Sequence, residues 1–286
     1  MVLLLVLSLL LVLFNVGFGF FLKSYRDNCR EQRDAMKKED ADLIGQRLSI
    51  PRKDNNPVAV NIYVPDRKGQ EPVPIVFNIH GGGFVAGDAD ALDTQSNRIS
   101  QQWNAVIVSV NYTTADIKPI SYGAREITDA VQYFYDHAEE YHVNAEDIYI
   151  IGYSAGAYYA AQAARALEKE KCHLKGLILC YPWTTGLENK KFGSSWPETL
   201  FILAGQDPIS RKAKNYIAGM KEAGLDPDIR EYPGAQHSFI ESNNPEGMKD
   251  PAEIAKNIIN EKQEQLAREA EADIGKWINH ARIGRK

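Results

Sequence analysis

The sequence predicts an α/β protein built on an eight-stranded, mostly parallel sheet with helices on both faces. Short apolar runs that suit buried strands alternate with amphipathic runs that suit helices, and this alternation is typical of parallel sheets. The strand-like run Ile148–Ile151 continues through a tight, glycine-flanked turn into an Ala-rich helical run. The chain of 286 residues has no internal repeat, so its length predicts one large domain with little left for a second.

The predicted elements follow one another in a simple order. Two strands, Leu48–Ile50 and Val58–Val64, come first and are expected to pair antiparallel through a turn-rich connection. The later strands are predicted at Pro74–Ile79, Ala105–Val110, Ile148–Ile151, Gly176–Tyr181, Thr199–Ala204 and Asp228–Tyr232. The helices are predicted at Leu92–Trp103, Gly123–Tyr141, Ala157–Leu167, Ser210–Ala223 and most of Met248–Arg282. The last helix is rich in Glu and Lys, and we expect it to be solvated rather than a partner surface.

Composition and charge exclude some classes of function. Lys and Arg number 33 against 38 Asp and Glu, a formal net charge of −5, so no basic face is left over for nucleic acid. The three cysteines, Cys29, Cys172 and Cys180, have neither disulfide-framework spacing nor metal-ligand spacing. This pattern fits free thiols in a reducing compartment.

The first 22 residues differ from the rest because none of them is charged. As a helix, this run would span about 33 Å, enough to cross a hydrocarbon core of about 30 Å. We expect a membrane anchor at 1–22, with a cleaved signal peptide and a secreted protein as the alternative. Basic residues follow the apolar run, which favours a cytoplasmic location for the rest of the chain. Residues 23–45 are expected to form a charged helix or stalk, and residues 46–286 the folded domain.

The turn at 152–156 reads Gly-Tyr-Ser-Ala-Gly. A serine at the tip of such a turn takes a strained backbone conformation, and the glycines two residues to either side let strand and helix approach closely. The helix that begins here also points its free N–H groups and positive dipole end at the place where negative charge would develop. In this strand–turn–helix context, G-x-S-x-G is typical of a nucleophile elbow, so Ser154 is the predicted nucleophile.

A serine hydroxyl needs a base within hydrogen-bond reach, and the base needs a carboxylate that orients it. His237 follows the last predicted strand in a turn-rich loop, where reactive residues of open parallel sheets lie. His80 begins a glycine run and is better placed to organise that loop. The other four histidines lie on helices or in charged connections and are interpreted as surface residues: His137, His142, His173 and His280.

Asp207 is the predicted acid because it follows the strand Thr199–Ala204 in another loop at a carboxyl end. Asp226 and Asp228 precede the final strand and are second choices. The alternative for Asp207 is the N-cap of the following helix, a role that aspartate fills well. The order nucleophile, acid, histidine along the chain favours the catalytic interpretation.

The glycine run at 80–83 reads His-Gly-Gly-Gly. Acyl transfer places negative charge on a carbonyl oxygen, and each fixed N–H donor aimed there contributes about 3–4 kcal/mol. We expect these donors, which form an oxyanion hole, to be the N–H groups of Gly82, Gly83 and Ala155. A phosphate-binding loop would continue Gly-Lys-Ser/Thr, whereas this chain continues Phe84-Val85-Ala86.

With these motifs the chain resembles the hormone-sensitive-lipase-like branch of the α/β hydrolases, also called α/β hydrolase fold-3. That family is marked by HGGG, GxSAG, an Asp-Pro loop and a Gly-x-x-His-x-Phe loop, which are residues 80–83, 152–156, 207–208 and 234–239 here. The resemblance spans about residues 46–245. It implies a serine carboxylesterase that cleaves small-molecule esters through an acyl-enzyme, without metal or organic cofactor. The oligomeric state stays open.

The chain departs from the family pattern in two places. Only 53 positions separate Ser154 from Asp207, where the family usually carries a long cap insertion. We therefore expect a reduced or absent cap and an open site that suits short- to medium-chain esters. The loop 111–116 matches the family's Tyr-Arg-Leu-Ala-Pro-Glu only loosely.

Two questions stay open at this point. The aromatic residues that flank the motifs are candidates for substrate binding, with core packing as the alternative for each: Phe84, Tyr153, Trp183 and Phe239. The predicted catalytic residues alone do not determine whether the substrate is an ester or an amide. A serine peptidase or amidase of the same fold is therefore one alternative, and a membrane-tethered scaffold without turnover is the other.

Overall fold

The computed structural model describes residues 23–53, 55–66, 71–188, 191–244 and 257–283. Its strands are β1 Gln46–Arg52, β2 Asn55–Tyr63, β3 Val73–Ile79, β4 Val106–Asn111, β5 Val143–Tyr153, β6 Gly176–Cys180, β7 Glu198–Ala204 and β8 Asp228–Tyr232. They form one eight-stranded sheet in the order β1-β2-β4-β3-β5-β6-β7-β8. Each strand overlaps a predicted one.

The sheet is antiparallel at one edge and parallel elsewhere. Strand β2 pairs antiparallel with both β1 and β4. All remaining neighbours, from β4–β3 to β7–β8, pair parallel. This confirms the predicted fold class and the predicted antiparallel pair. The parallel strands end at one edge of the sheet, where the loops that carry the predicted site residues begin.

Helices cover both faces of the sheet. They are α1 at 23–36, α2 Asp93–Trp103, α3 Ile120–Asp136, α4 Ala155–Leu167, α5 Pro208–Glu222, α6 Phe239–Ser242 and α7 Glu261–Ile283. One hydrophobic cluster includes Phe134 of α3 and Ala160 of α4, and a second includes Ile99 of α2 and Ile274 of α7. Because helices lie on both sides, all seven residues of β3 are buried, which explains why all of them except Asn78 are apolar.

The C-terminal helix α7 is not simply solvated, so that prediction is wrong for one of its faces. Ala267, Ala270, Ile274 and Ile278 are fully buried. They recur at intervals of three or four, which places them on one side of the helix. The Trp103 Nε1–H of α2 also donates a hydrogen bond of 2.9 Å to the carbonyl of Glu271. The surrounding charged residues concealed this apolar stripe in the sequence.

The charged segment before β1 contacts the rest of the protein. Arg33 of α1 forms an ion pair of 2.9 Å with Asp116, and both side chains are largely buried. Lys38 reaches Asp93 at the start of α2 over 2.7 Å. The predicted division of the chain into a stalk and a domain at residue 46 stays a prediction, and these contacts cross it.

The predicted membrane anchor or signal peptide at 1–22 lies outside the described residues. Within the described ranges, no helix is long and apolar enough to cross a membrane. The predicted localisation is therefore corrected, and the membrane is no longer a predicted partner. That prediction depended on the apolar composition of one segment. The helix that follows it carries charged residues such as Arg26 and Arg30 and pairs with Asp116 through Arg33.

Candidate active site

Ser154 lies at the tip of the turn between β5 and α4. Its φ of +52° and ψ of −113° fall outside the regions that non-glycine residues ordinarily adopt. Two backbone hydrogen bonds hold this conformation: the Ser154 N–H donates to the Cys180 carbonyl over 3.0 Å, and the Trp183 N–H donates to the Ser154 carbonyl over 3.1 Å. The serine is thus presented at the end of β5 by a strained turn that its neighbours support.

The two glycines of the turn are required by close packing. A Cβ on Gly152 would lie 2.5 Å from the Gly156 carbonyl oxygen. A Cβ on Gly156 would lie 2.3 Å from the carbonyl oxygens of both Ile79 and His80. The first turn of α4 therefore lies directly against the end of β3. This contact brings Ser154 beside the glycine run.

The three predicted catalytic residues meet at this edge of the sheet. Ser154 Oγ lies 2.8 Å from His237 Nε2, and His237 Nδ1 lies 2.8 Å from Asp207 Oδ2. Asp207 follows β7 and His237 follows β8, so each residue comes from a different loop. The Asp207 side chain is 1% exposed, whereas that of His237 is 30% exposed. The imidazole is thus partly open to solvent, whereas the carboxylate is enclosed.

Asp207 is also the N-cap of α5. Its Oδ1 accepts a hydrogen bond of 2.9 Å from the Ile209 N–H, and its Oδ2 accepts one of 3.2 Å from the Ser210 N–H. Burial alone would raise the pKa of Asp207, but the hydrogen bonds from His237, Ile209 and Ser210 outweigh it and lower the pKa. The carboxylate is therefore ionised. Asp207 thus caps α5 and contacts His237 with the same carboxylate, and its catalytic role stays a prediction.

The glycine run forms a tight loop beyond β3. Gly82 and Gly83 have φ of 114° and 59°, which is backbone space that favours glycine. The Gly82 carbonyl accepts hydrogen bonds from the N–H groups of Val85 and Ala86, over 3.2 and 2.8 Å. Among the described residues, no group accepts a hydrogen bond from the N–H of Gly82 or of Gly83. These two donors are therefore available to a ligand.

His80 organises the loop, as the sequence predicted. Burial lowers its pKa to about 4, so the ring is neutral and carries one N–H. Nδ1 lies 2.8 Å from the Gly81 carbonyl oxygen, which can only accept, so the proton lies on Nδ1. The ring stacks on Tyr112 with centroids 4.3 Å apart. His80 is therefore a donor inside the loop and not a second base.

The sequence reasoning missed two residues that hold this loop from outside. The Gly81 N–H donates a hydrogen bond of 2.7 Å to Oε1 of Glu241, one turn beyond His237. Arg33 donates from Nη1 to the Val85 carbonyl while it pairs with Asp116. Neither residue belongs to a motif. Only the position of Glu241, four residues after His237, could have indicated it.

The four candidate substrate-binding aromatics fall into two groups. Phe84 and Trp183 are half-buried, and their rings meet edge to face with centroids 6.1 Å apart. Tyr158, which the sequence analysis missed, packs on Phe84 at 5.5 Å. Tyr153 and Phe239 are fully buried in the core. The structure thus groups two candidates on the partly open side and encloses the other two. Substrate contact by any of them stays a prediction.

Tyr153 and the cysteines have roles in packing that the structure makes visible. The Tyr153 hydroxyl accepts a hydrogen bond of 3.3 Å from Gln95 of α2. Cys29, Cys172 and Cys180 are buried free thiols. Within the described ranges, no group of three or more His, Cys, Asp and Glu side chains is arranged to hold a metal ion.

Comparison with known proteins finds a family model and several named enzymes that are similar to this chain. A family model described as the alpha/beta hydrolase fold matches residues 76–196, which include the glycine run and the serine turn. Arylacetamide deacetylase of Oryctolagus cuniculus is 33% identical over 144 residues, or 48% of this chain and 36% of that protein. Versiconal hemiacetal acetate esterase of Dothistroma septosporum is 24% identical over 248 residues, or 68% and 75% of the two chains.

An acetyl esterase of Salmonella schwarzengrund is 27% identical over 145 residues. The match covers 49% of this chain and 44% of the esterase, so this chain matches less than half the length of that relative and of the deacetylase.

Solved structures share the fold. An esterase of Pyrobaculum calidifontis superposes with a TM-score of 0.71 at 21% identity, covering 90% of this chain and 92% of the esterase. An arylesterase structure superposes with a TM-score of 0.70 at 16% identity, covering 92% and 97%. The chain thus has the α/β-hydrolase fold. Within that fold class, its four motifs resemble those of the hormone-sensitive-lipase-like, fold-3 branch, and the family match covers residues 76–196.

Proposed function

We propose that this protein is a serine carboxylesterase that cleaves short- to medium-chain carboxylic esters through an acyl-enzyme. The observation that carries the proposal is the continuous hydrogen-bonded chain from Ser154 through His237 to Asp207, with 2.8 Å at each link. Two relatives named for acetyl or acetate esters support the ester class. The hydrogen-bonded chain supports Ser154 as the nucleophile, and these relatives support an ester as the bond that is cleaved.

In the first half of the reaction, Ser154 Oγ attacks the ester carbonyl carbon while its proton passes to His237 Nε2. Asp207 keeps the imidazole oriented through Nδ1 and stabilises the cation that forms. The carbonyl oxygen becomes negatively charged and accepts hydrogen bonds from the N–H groups of Gly82, Gly83 and Ala155. The first turn of α4 adds the positive end of its dipole at the same place.

In the second half, the tetrahedral intermediate collapses, and His237 returns its proton to the departing alcohol. The acyl group remains on Ser154 as an ester. A water molecule then attacks this ester while His237 takes a proton from it, and the second collapse gives the carboxylic acid and regenerates the serine hydroxyl. Protons and charges balance over the cycle without a cofactor.

The preference for short and medium acyl chains rests on the surroundings of the serine. His237 is 30% exposed, so the site opens to solvent near the base. Phe84, Trp183 and Tyr158 form an edge-to-face cluster of half-buried rings that can pack on an acyl or alcohol group. Such a cluster of rings suits an acyl chain of a few methylene groups better than a long acyl chain that needs full enclosure.

An amide substrate is the second candidate. It is favoured by the relative named arylacetamide deacetylase, which is 33% identical to this chain over 144 residues. The same nucleophile, base and donors serve both reactions, but the departing amine must be protonated as it leaves. The proposed reaction class is therefore tested with paired ester and amide substrates of the same acyl group.

The experiment compares the full chain with its Ser154→Ala variant on p-nitrophenyl acetate, butyrate and decanoate, with p-nitroacetanilide as the amide. Labelling by a fluorophosphonate probe runs in parallel, and circular dichroism checks that the variant folds. We expect wild type to be labelled and to cleave acetate and butyrate faster than decanoate, and both activities to vanish in the variant. Faster amide than ester cleavage would favour the second candidate. Absence of labelling in folded wild type would refute a catalytic role for Ser154.

A further inference from the structure

Glu241 links the loop of the catalytic histidine to the glycine run. It lies in α6, which begins two residues after His237. Its Oε1 accepts a hydrogen bond of 2.7 Å from the N–H of Gly81. Gly81 is the residue before Gly82, whose N–H is a proposed donor to the oxyanion. Two loops 160 positions apart in sequence are therefore joined by one side chain.

The carboxylate of Glu241 is itself held in place. Its Oε2 lies 3.4 Å from the hydroxyl of Tyr181, and its backbone N–H lies 3.4 Å from the same hydroxyl. Tyr181 is fully buried, and its ring meets the His237 ring edge to face with centroids 5.3 Å apart. At the end of α6, the Asn243 side chain donates a hydrogen bond of 3.0 Å to the Phe239 carbonyl. These contacts therefore hold the Glu241 side chain in a fixed position.

Gly81 is held on both sides. Its N–H donates to Glu241, and its carbonyl accepts from His80 Nδ1 over 2.8 Å. That carbonyl belongs to the same peptide group as the N–H of Gly82, so its direction sets the direction of the donor. Gly82 has a φ of 114°, in a region where glycine has wide freedom. Without the two bonds, the Gly81–Gly82 peptide would have other orientations open to it.

The packing around Gly81 is consistent with a direct contact. A Cβ on Gly81 would lie 2.8 Å from Oε2 of Glu241. The carboxylate therefore lies close against the backbone of Gly81 and leaves no room for a side chain there. A charged acceptor also makes a stronger hydrogen bond to an N–H than a neutral one does.

We propose that Glu241 is a positioning residue for the oxyanion hole. Its carboxylate fixes Gly81, so the N–H groups of Gly82 and Gly83 point to the place where negative charge develops on the substrate. The inference rests on the proposed function. Donors that are fixed in advance stabilise the transition state more than the bound substrate. Loss of Glu241 therefore lowers kcat and changes KM little.

The test measures ester hydrolysis by wild type, Glu241→Ala and Glu241→Gln, with Glu222→Ala as the matched control. Glu222 is exposed at the end of α5, away from the loops of the site. Removing the acceptor lowers kcat per labelled serine about 10- to 100-fold, in the range expected for a displaced oxyanion donor. Glutamine keeps an acceptor oxygen, so Glu241→Gln recovers most of the lost kcat. Glu222→Ala behaves as wild type.

A trifluoromethyl ketone inhibitor supplies a readout that a purely structural role would not change. It adds to Ser154 as a hemiketal whose oxygen resembles the oxyanion. Its inhibition constant rises in Glu241→Ala by the same factor by which kcat/KM falls. If the alanine variant does not fold, Glu241→Asp replaces it, since aspartate keeps the charge but withdraws the oxygen from Gly81. That variant lowers kcat and inhibitor affinity together.

Three results overturn the inference. The first is a lower thermal unfolding midpoint of Glu241→Ala with unchanged kcat per labelled serine and unchanged inhibitor affinity, because Glu241 would then serve only stability. The second is a kcat of the Glu241→Gln variant that is as low as that of Glu241→Ala. The third is a folded wild type that is neither labelled nor active, which refutes the proposed function as well. The first two results leave the proposed function standing, so the two failures are distinguishable.

Discussion

Asp207 accepts a hydrogen bond of 2.8 Å from Nδ1 of His237 on Oδ2, the oxygen that also accepts from the Ser210 N–H at the start of α5. Capping a helix and orienting a catalytic base are usually considered separate roles of an aspartate. Here the cap holds the carboxylate in one rotamer, and that rotamer faces His237. The start of α5 therefore positions the predicted catalytic acid.

The two roles of Asp207 are separable by substitution. Asp207→Asn retains an oxygen that can cap α5, whereas Asp207→Ala retains none. We expect both to lower kcat/KM about 10³- to 10⁴-fold, because the imidazole loses its orienting carboxylate. Asp207→Ala also loses about 1 kcal/mol more free energy of unfolding than Asp207→Asn. Urea unfolding and ester turnover measure the two effects, and equal stability of the two variants would contradict the capping role.

The close approach of α4 to β3 predicts that Gly156→Ala is severely destabilising. Its Cβ would lie 2.3 Å from two backbone carbonyl oxygens, which cannot move without displacing the end of β3. We expect a loss of about 3 kcal/mol or more, together with loss of turnover. The matched control is Gly219→Ala in α5, where the nearest atom to a new Cβ is 3.8 Å away.

Gly219→Ala is expected to stabilise the protein by about 0.5–1 kcal/mol, because alanine favours a helix interior over glycine. Thermal or urea unfolding of both variants makes the comparison. A Gly156→Ala variant as stable as wild type would show that α4 does not lie against β3 as described.

The buried His80 is expected to contribute to the loss of stability at acidic pH. Burial keeps it neutral down to about pH 4, whereas its unperturbed pKa is 6.5. Between these values the unfolded chain binds one more proton than the folded protein, so the free energy of unfolding falls as the pH is lowered. Acidification from pH 7 to about pH 4.5 should cost about 2–3 kcal/mol through this group alone.

His80→Asn isolates that contribution, because its amide can still donate to the Gly81 carbonyl but does not titrate. Urea unfolding of wild type and variant at the two pH values gives the difference, in which contributions from the other groups cancel. The expected result is a smaller loss of stability in the variant. An equal loss in both proteins would rule out His80 as the titrating group.

The ion pair between Arg33 and Asp116 predicts a stabilising role for α1. Their side chains are 10% and 6% exposed, so removing one partner leaves a largely buried charge. We expect Arg33→Ala to cost about 3 kcal/mol of unfolding free energy. Arg33 also donates to the Val85 carbonyl of the loop that follows the glycine run, so turnover should fall as well.

The double variant Arg33→Ala/Asp116→Ala should lose less than the sum of the single variants, because both charges are then gone. Lys37→Ala is the control, since Lys37 pairs with Asp34 where both side chains are more than half exposed. This exposed pair is expected to contribute nothing measurable. Additive losses in the double variant would contradict a direct interaction between Arg33 and Asp116.

The elements of the fold and site that were predicted from the sequence are those marked by a pattern within a short stretch of residues. All residues of β3 except Asn78 are apolar because both faces of the strand are covered, and such a run is visible in the local sequence. The geometry of the Gly-Tyr-Ser-Ala-Gly turn explains its motif, since only glycine fits two residues to either side of the strained serine. The solvated interpretation of α7 was wrong for one face because four buried apolar residues are dispersed among many charged ones.

The sequence by itself determined the α/β-hydrolase fold class, and it predicted a site of the glycine run, Ser154, Asp207 and His237, because each is marked by a motif within a few residues of itself. Only the tertiary structure decided that Glu241 contacts Gly81, that Arg33 contacts Asp116, and that Phe84 and Trp183 share one side of the site. It also supplied the finding that corrected the predicted localisation. These contacts join residues tens to more than a hundred positions apart, and such pairs leave no local pattern. Their geometry is set by how the loops meet at the carboxyl edge of the folded sheet.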